Sequence, residues 1–167
     1  MKAINFKIMI EIERKFLPSA DFNLNEIQNL ASKSFAITQG YICDDVQRTV
    51  RIRTKSDKGF ITIKGIGNDG NVSRFEWEKE ISVDEANALL KLCLKGVIRK
   101  MRYEVLFENH IFEIDVFDGD NKGLIIIELE LESETEAFEK PDWLGEEVTT
   151  DNRYFNSYIS QKPYLEW

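Results

Sequence analysis

The chain has 167 residues, 43% of them hydrophobic and 31% charged, a balance typical of one globular domain spanning residues 1–167. Its formal net charge of -8 excludes a broad nucleic-acid-binding surface, because such surfaces need a clustered excess of Lys and Arg. No apolar run approaches the roughly 18 residues of a membrane-spanning helix. We therefore expect neither a nucleic acid nor a membrane as a partner.

The N-terminal segment and the cysteines both indicate a cytoplasmic protein. Residues 1–10 contain Lys2 and Lys7 but no sustained apolar stretch and no small-residue cleavage site, so we expect no secretory signal. Cys43 and Cys93 lie far apart without the spacing of metal ligands. They are expected to be reduced thiols in packed elements.

Period-two alternation, with many β-branched and aromatic residues, predicts eight strands. These strands are expected near residues 7–16, 36–43, 47–55, 59–65, 73–81, 97–107, 110–117 and 124–132. The segments 56–59 and 118–121 have the composition of hairpin turns, which join neighbouring strands in antiparallel fashion. The sheet is therefore expected to be mainly antiparallel.

Three helices are predicted among the strands. One spans Leu24 to Ser32, and a second follows Ser82 and Glu85, which have the spacing of a capping box. A third is expected to begin near Asp151, because aromatic and aliphatic residues follow it at helical spacing. Their apolar faces are expected to pack on the sheet.

Charged residues share one face of seven predicted strands. In the first strand, Glu11, Glu13 and Lys15 alternate with apolar residues on the opposite face. The same rule places further charged residues on one face of the later strands: Arg51, Arg53, Lys64, Arg74, Glu76, Glu78, Lys100, Arg102, Glu113, Asp115, Glu128 and Glu130.

Two interpretations fit this alternation. Periodicity alone favours an open antiparallel sheet with one face solvated. A solvated face would accept Thr, Ser, Gln and Asn as readily as Arg and Glu, yet neutral polar residues are few here. If the strands instead close into a barrel with helices outside, the charged face lines an interior that binds ions.

The charged residue types indicate which ligand such an interior would hold. Its guanidinium and ammonium groups suit phosphate oxygens. Its carboxylates, without His or Cys among them, suit Mg²⁺ or Mn²⁺ rather than zinc. A polyphosphate together with a divalent metal ion would satisfy both sets.

The segment from Glu11 to Leu17 resembles the ExExK signature of the CYTH, or triphosphate tunnel metalloenzyme, family. Further similar segments follow in family order: 39–41, 51–53, 62–65, 74–78, 100–103, 113–117, 128–131, 143–149 and 151–154. The similarity covers the chain from about residue 9 onward. Residues 1–8 precede the signature, so either the first strand extends upstream or the chain starts at Met9.

The resemblance implies an α+β fold: an eight-stranded antiparallel closed β-barrel, open at both ends, with helices packed outside and triphosphate along its axis. It also implies roles for matching residues. Those implied to bind substrate are Lys15, Arg51, Arg53, Lys64, Arg74 and Arg102. Those implied to bind Mg²⁺ or Mn²⁺ are Glu11, Glu13, Asp115, Glu128 and Glu130, with Glu76 and Glu78 as weaker candidates.

In short family members a lysine and a tyrosine act together on the attacking water, and the matching residues here are Lys100 and Tyr41. A lysine near Arg102, Arg53 and a metal ion should have a lowered pKa, as a base requires. The alternative interpretation makes Lys100 a phosphate ligand and Tyr41 a packing residue of the barrel wall.

These observations predict a metal-dependent triphosphatase, with inorganic tripolyphosphate as the expected substrate. Class IV adenylate cyclase activity, hydrolysis of nucleoside or thiamine triphosphates, and triphosphate binding without catalysis stay open as alternatives. Whether the chain forms a homodimer through its outer helices also stays open.

Overall fold

Antiparallel β-strands form most of the computed structural model, which describes residues 9–45, 47–67 and 73–167. The strands in these residues are β1 (Met9–Pro18), β2 (Lys33–Cys43), β3 (Arg48–Lys55), β4 (Lys58–Gly67), β5 (Ser73–Ile81), β6 (Ile98–Phe107), β7 (His110–Asp118), β8 (Ile125–Glu130) and β9 (Leu144–Glu147). The α-helices are α1 (Leu24–Leu30), α2 (Val83–Leu90) and α3 (Asn156–Gln161), and short 3-10 helices lie at Gly119–Asn121, Asn152–Tyr154 and Tyr164–Glu166.

The sheet closes into a barrel. Its strands are hydrogen-bonded in the order β5-β4-β3-β2-β6-β7-β8-β1, and β5 pairs with β1 to complete the ring. The closing contact is antiparallel and joins Ile10 to Phe75 and Glu11 to Arg74. β9 is a short strand that pairs with the C-terminal end of β1. The predicted antiparallel barrel is confirmed, although its closure did not follow from strand spacing.

The predicted elements match the structure with two corrections. β1 to β8 correspond to the eight predicted strands, and residues 7 and 8 of the first prediction lie outside the described residues. β9 was missed, because its four residues pair only with β1. The third helix starts later than predicted: Asn152–Tyr154 forms a 3-10 helix, and the extended backbone of Phe155 separates it from α3.

Helix α2 lies close against the outside of β4. The predicted capping box is present: Ser82 Oγ accepts from the Glu85 backbone N–H, and the Glu85 carboxylate accepts from the Ser82 backbone N–H. At Gly59 of β4, an added Cβ would lie 2.7 Å from the Ala86 Cβ and 2.6 Å from the Ser82 carbonyl oxygen. Any side chain there would push the helix away from the sheet.

The main apolar core lies on the outer side of the barrel wall. Phe16, Phe112 and Leu129 project there from β1, β7 and β8 and are fully buried. Ile27 of α1 covers them together with Trp143, which packs edge-on against Phe112 at 5.2 Å between ring centroids. This arrangement leaves the opposite, charged face of these strands directed into the barrel.

A second apolar cluster fills one end of the barrel interior. Its members are Ile98 of β6, Phe117 of β7, Leu124, Ile126 of β8 and Ile159 of α3. By strand periodicity, Ile98, Phe117 and Ile126 point to the same side as the charged residues of their strands. This end is therefore packed with apolar side chains, whereas the family resemblance implies openings at both ends.

Among the described residues, no helix has the length and apolar character needed to span a lipid bilayer; α2, with eight residues, is the longest.

Candidate functional site

The barrel interior contains a cavity of about 290 Å³ lined mainly by charged side chains. The predicted site residues that line it are Glu11, Glu13, Lys15, Tyr41, Arg51, Arg53, Lys64, Arg74, Glu76, Glu78, Lys100, Arg102, Glu128 and Glu130. Asp115 is the exception: its side chain is fully buried behind the cavity wall. The strand alternation thus brings both signs of charge into one enclosed space.

At the junction of β4, β5 and β1, Lys64 lies between two carboxylates. Its Nζ is 2.6 Å from Glu11 Oε2 and 2.6 Å from Glu76 Oε2, and Arg74 Nε donates to Glu11 at 3.1 Å. Burial alone would raise the pKa of Glu11, but Lys64 and Arg74 outweigh it and hold that pKa below its ordinary value. The Glu11 carboxylate is therefore ionised at neutral pH.

Between β1 and β8, Lys15 bridges Glu13 and Glu128. Its Nζ donates to Glu13 Oε1 at 2.7 Å and to the Glu128 carboxylate. Burial, and then repulsion from Glu128, raise the pKa of Glu13 to about 7. The pKa of Glu128 stays well below its ordinary value, because Lys15 and Arg102 outweigh the effect of burial. Glu13 is thus the carboxylate with the least compensated charge in this group.

On β6 and β7, Arg102 forms a forked contact with Asp115. Nε donates to Oδ1 and Nη2 donates to Oδ2, both at 2.6 Å. The same guanidinium also donates to Glu113 and Glu128, and Lys100 donates to Asp115. Lys100 and Arg102 therefore both form ion pairs with Asp115, and their charged groups separate it from the cavity.

The two residues expected to act on water have opposite pKa shifts. Burial lowers the pKa of Lys100 to about 8, with a further contribution from Arg102, although Asp115 opposes the shift. Burial raises the pKa of Tyr41, so its hydroxyl keeps its proton at neutral pH. The neutral fraction of Lys100, which grows as the pH approaches its pKa of about 8, can therefore accept a proton, while Tyr41 can act as a hydrogen-bond donor.

The β3 arginines face Glu78 across β4. Arg53 Nη2 donates to Glu78 Oε2 at 2.9 Å, and Arg51 Nη2 lies 3.6 Å from the same oxygen. Thr62 of β4 also donates to Glu78, at 2.7 Å. Burial, and then repulsion from Arg51, lower the pKa of Arg53 to about 10. This corner carries more positive charge than Glu78 alone balances, which favours binding of an anion.

Three carboxylates that could hold a metal ion line the cavity from the paired strands β1 and β8. Glu13 and Glu130 are opposite each other on these strands, and Glu11 is two residues from Glu13 on the same face. Burial, and then Glu11 and Glu113, raise the pKa of Glu130, which forms no ion pair with any described residue. A divalent cation would relieve this repulsion, so these carboxylates fit such an ion by their ligand chemistry.

No group of three or more His, Cys, Asp or Glu side chains is arranged to hold a metal ion, as far as residues 9–45, 47–67 and 73–167 are concerned. The ion pairs explain this arrangement, since Lys64 and Lys15 occupy oxygens of Glu11 and Glu13. Binding of a metal ion there would require Lys15 and Lys64 to move away from these carboxylates. A bound phosphate would attract the ammonium groups of both lysines.

Several cavity residues were not predicted. Lys55 lines the cavity and continues the alternating row of β3, so the same pattern could have identified it. Glu113 also lines the cavity; the alternation placed it on the charged face, but it was assigned no role in the site. Thr49 lines it at the start of the β3 row. Phe155, Asn156 and Ser157 also line the cavity. No sequence pattern indicated them, because their position depends on how the C-terminal segment packs.

Comparison with known proteins agrees with this geometry. The sequence model of the CYTH domain family matches residues 9–161, most of the chain. The chain belongs to the CYTH family. Membership implies dependence on a divalent metal ion, without specifying which one.

Two curated family members similar to this chain are both named inorganic triphosphatase. The protein from Acetivibrio thermocellus is 47% identical over 155 residues, which cover 92% of this chain and 95% of that protein. The protein from Nitrosomonas europaea is 35% identical over 158 residues, which cover 91% and 97%. The alignments thus span nearly the whole of all three chains.

Solved structures show the same fold. A crystal structure of an inorganic triphosphatase superposes with a TM-score of 0.61 at 31% identity, covering 90% of this chain and 93% of the other. A Pyrococcus horikoshii protein superposes with a TM-score of 0.58 at 22% identity, covering 74% of this chain and 79% of the other. The second likeness supports the fold alone.

Proposed function

We propose that this CYTH protein is a divalent-metal-dependent triphosphatase whose substrate is inorganic tripolyphosphate. The observation that carries the proposal is the enclosed cavity in which five strands present basic side chains beside carboxylates. The names of the two curated relatives support the choice of substrate. The uncharged residues that line the cavity are few, which favours an all-phosphate ligand over a nucleotide.

The basic residues bind the triphosphate in this proposal. Arg51, Arg53, Lys64 and Arg74, which lie on the three consecutive strands β3, β4 and β5, can donate to phosphate oxygens along the cavity. Lys15 and Arg102 extend this row towards β8. In the free protein these cations are held by carboxylates, so binding exchanges protein ion pairs for contacts with phosphate.

Glu11, Glu13 and Glu130 would hold the metal ion, with Glu128 and Glu76 next to them. When bound, the ion neutralises charge on the phosphate oxygens. Mg²⁺ or Mn²⁺ suits these hard carboxylate ligands. Asp115 was also predicted as a metal ligand; its forked contact with Arg102 favours instead a role in fixing Arg102 and Lys100.

The reaction proceeds by attack of water on a terminal phosphorus. The water oxygen forms a bond to phosphorus while the bridging P–O bond breaks, and that electron pair stays on the departing pyrophosphate. Lys100, neutral in part near its pKa of about 8, accepts the water proton. Tyr41 keeps its own proton and orients the water through a hydrogen bond.

The test is phosphate release from tripolyphosphate, pyrophosphate, ATP and thiamine triphosphate, each with Mg²⁺, Mn²⁺ or EDTA. The proposal predicts the highest kcat/KM for tripolyphosphate and no release in EDTA. Formation of cyclic AMP from ATP would establish a cyclase instead. Saturable binding of tripolyphosphate without phosphate release would establish a binding protein.

The proposal also includes a cytoplasmic location and a homodimer. The free, half-buried thiols Cys43 and Cys93 support a reducing compartment. Leu92 and Leu94, which follow α2, are 72% and 46% exposed and offer an apolar contact surface beside the outer helix. Cell fractionation tests the location, and sedimentation velocity tests the dimer.

A further inference from the structure

Gln39 is a fully buried amide whose two polar atoms have no hydrogen-bond partner in the part of the chain that the structure describes. It lies on β2 with 1% of its surface exposed, and neither Oε1 nor Nε2 contacts a donor or acceptor among the described residues. By strand periodicity it points to the same side as Tyr41, into the barrel. A buried amide without hydrogen-bond partners destabilises the folded protein. We therefore expect the protein to have another state in which the Gln39 amide forms hydrogen bonds.

A complementary unpaired group lies on the neighbouring strand. Gln39 and Arg53 are directly opposite each other in the β2–β3 pairing, where side chains on one face lie within contact distance. The Nε–H of Arg53 is also buried and has no acceptor within residues 9–45, 47–67 and 73–167. The Nε–H donor of Arg53 thus lies on the residue directly opposite the Gln39 Oε1 acceptor, and neither group is paired in the described structure.

In the free protein, Glu78 determines where the Arg53 guanidinium points. Arg53 Nη2 donates to Glu78 at 2.9 Å, and the guanidinium lies 5.3 Å from the centre of the Phe60 ring. A bound phosphate would compete with Glu78 for the two Nη groups. Turning the guanidinium away from Glu78 changes the direction of its Nε–H, because the group is planar and rigid.

We propose that Gln39 is a positioning residue for Arg53, whose Nε–H donates to Gln39 Oε1 once a polyphosphate takes its Nη groups. The terminal amide of glutamine rotates broadly about χ3, so its oxygen can turn towards Arg53. The hydrogen bond fixes the guanidinium in the orientation that presents both Nη groups to phosphate. Gln39 therefore acts on the ligand through Arg53, without touching it.

This inference takes from the proposed function only that the anion is a polyphosphate. Its test is therefore binding without turnover: calorimetric titration of the protein with tripolyphosphate in EDTA. If wild type binds tripolyphosphate but never hydrolyses it, the proposed function fails, and the role of Gln39 is still decided by the binding data.

The variants are Gln39→Met and Arg53→Lys, singly and together. Gln39→Met removes both polar atoms at similar volume, and we expect Kd for tripolyphosphate to rise about tenfold. Lysine has no Nε–H at the guanidinium position, so Gln39→Met in the Arg53→Lys background should change Kd by less than about twofold. An equal effect of Gln39→Met in both backgrounds, or none in either, would overturn the proposal.

Two further measurements separate this role from a structural one. Gln39→Met should raise the Tm of the free protein by about 3 °C, because it removes an unpaired buried amide. Ile37→Leu is the matched control, since Ile37 is a buried apolar residue on the same face of β2. The control should leave Kd within about twofold of wild type. If Gln39→Met lowers Tm and Ile37→Leu weakens binding equally, Gln39 serves packing alone, and the proposal is wrong.

Discussion

Replacing Arg102 with methionine should destabilise the barrel more than any exposed charge change. The Arg102 guanidinium donates to Asp115 through two nitrogens and also contacts Glu113 and Glu128. Asp115 is fully buried, so after the substitution only Lys100 offsets its charge. Removing one partner of a buried ion pair typically costs about 3–5 kcal/mol. For a chain of this length the loss corresponds to a fall in Tm of about 10 °C.

Urea unfolding followed by circular dichroism measures this free energy. The control is Arg102→Met combined with Asp115→Asn, which removes the uncompensated carboxylate together with its partner. The double variant should recover about half of the lost stability. A loss below about 1 kcal/mol in Arg102→Met would refute the reasoning, because it would mean that the Asp115–Arg102 pair behaves like a solvent-exposed ion pair.

Three further predictions concern Lys100 and Glu13. Since a base must be neutral, kcat/KM should rise with pH and level off above about 8; a profile flat across this pKa would exclude Lys100 as the base. Lys100→Met should lower kcat by about 100-fold with KM changed less than about threefold, whereas a rise in KM alone would make Lys100 a phosphate ligand. Glu13 has a folded pKa of about 7 against 4.5 for the free side chain, so it stabilises the fold below pH 4.5, and that contribution is lost as pH rises through 7. The urea midpoint of Glu13→Gln should not fall between pH 4.5 and 7 in this way. If its pH dependence equals that of the wild type, Glu13 is solvated in the folded protein.

The sequence predicted the charged face correctly because strand pleating alone determines it. Glu11, Glu13 and Lys15 must share a face at period two, whatever the strands around them do. Whether that face would be solvated or enclosed depends on the pairing of β5 with β1, which no local pattern reports. The resemblance to the CYTH family supplied this step.

The alternation of residues could not predict how deeply each side chain is buried inside the barrel. Glu113 and Asp115 share one face of β7, yet Glu113 lines the cavity while Asp115 lies behind Lys100 and Arg102. Their difference comes from the neighbouring strand β6, which places two long cations over the shorter carboxylate. Gln39 was assigned no role, although it lies in the matching segment 39–41, because a neutral side chain gives no signal until its neighbours in the fold are known.

Elements held by tertiary contacts were the other misses. β9 is short and has no alternation, and Gly145 allows it to approach β1, since an added Cβ there would lie 2.6 Å from the Pro18 carbonyl oxygen. The helical spacing after Asp151 was real, but the Asp151 side chain accepts from the Arg153 N–H and supports a 3-10 turn instead. The organisation of residues 1–167 as one domain stays a prediction, which a single cooperative unfolding transition would support.

The most direct test of the enclosed anion site is a crystal structure of the protein soaked with tripolyphosphate in EDTA. We predict density for the phosphate chain inside the barrel, in contact with the basic side chains of Arg51, Arg53, Lys64 and Arg74. Phosphate bound only on the outer surface, with the interior ion pairs of Lys64 and Lys15 intact, would contradict the account.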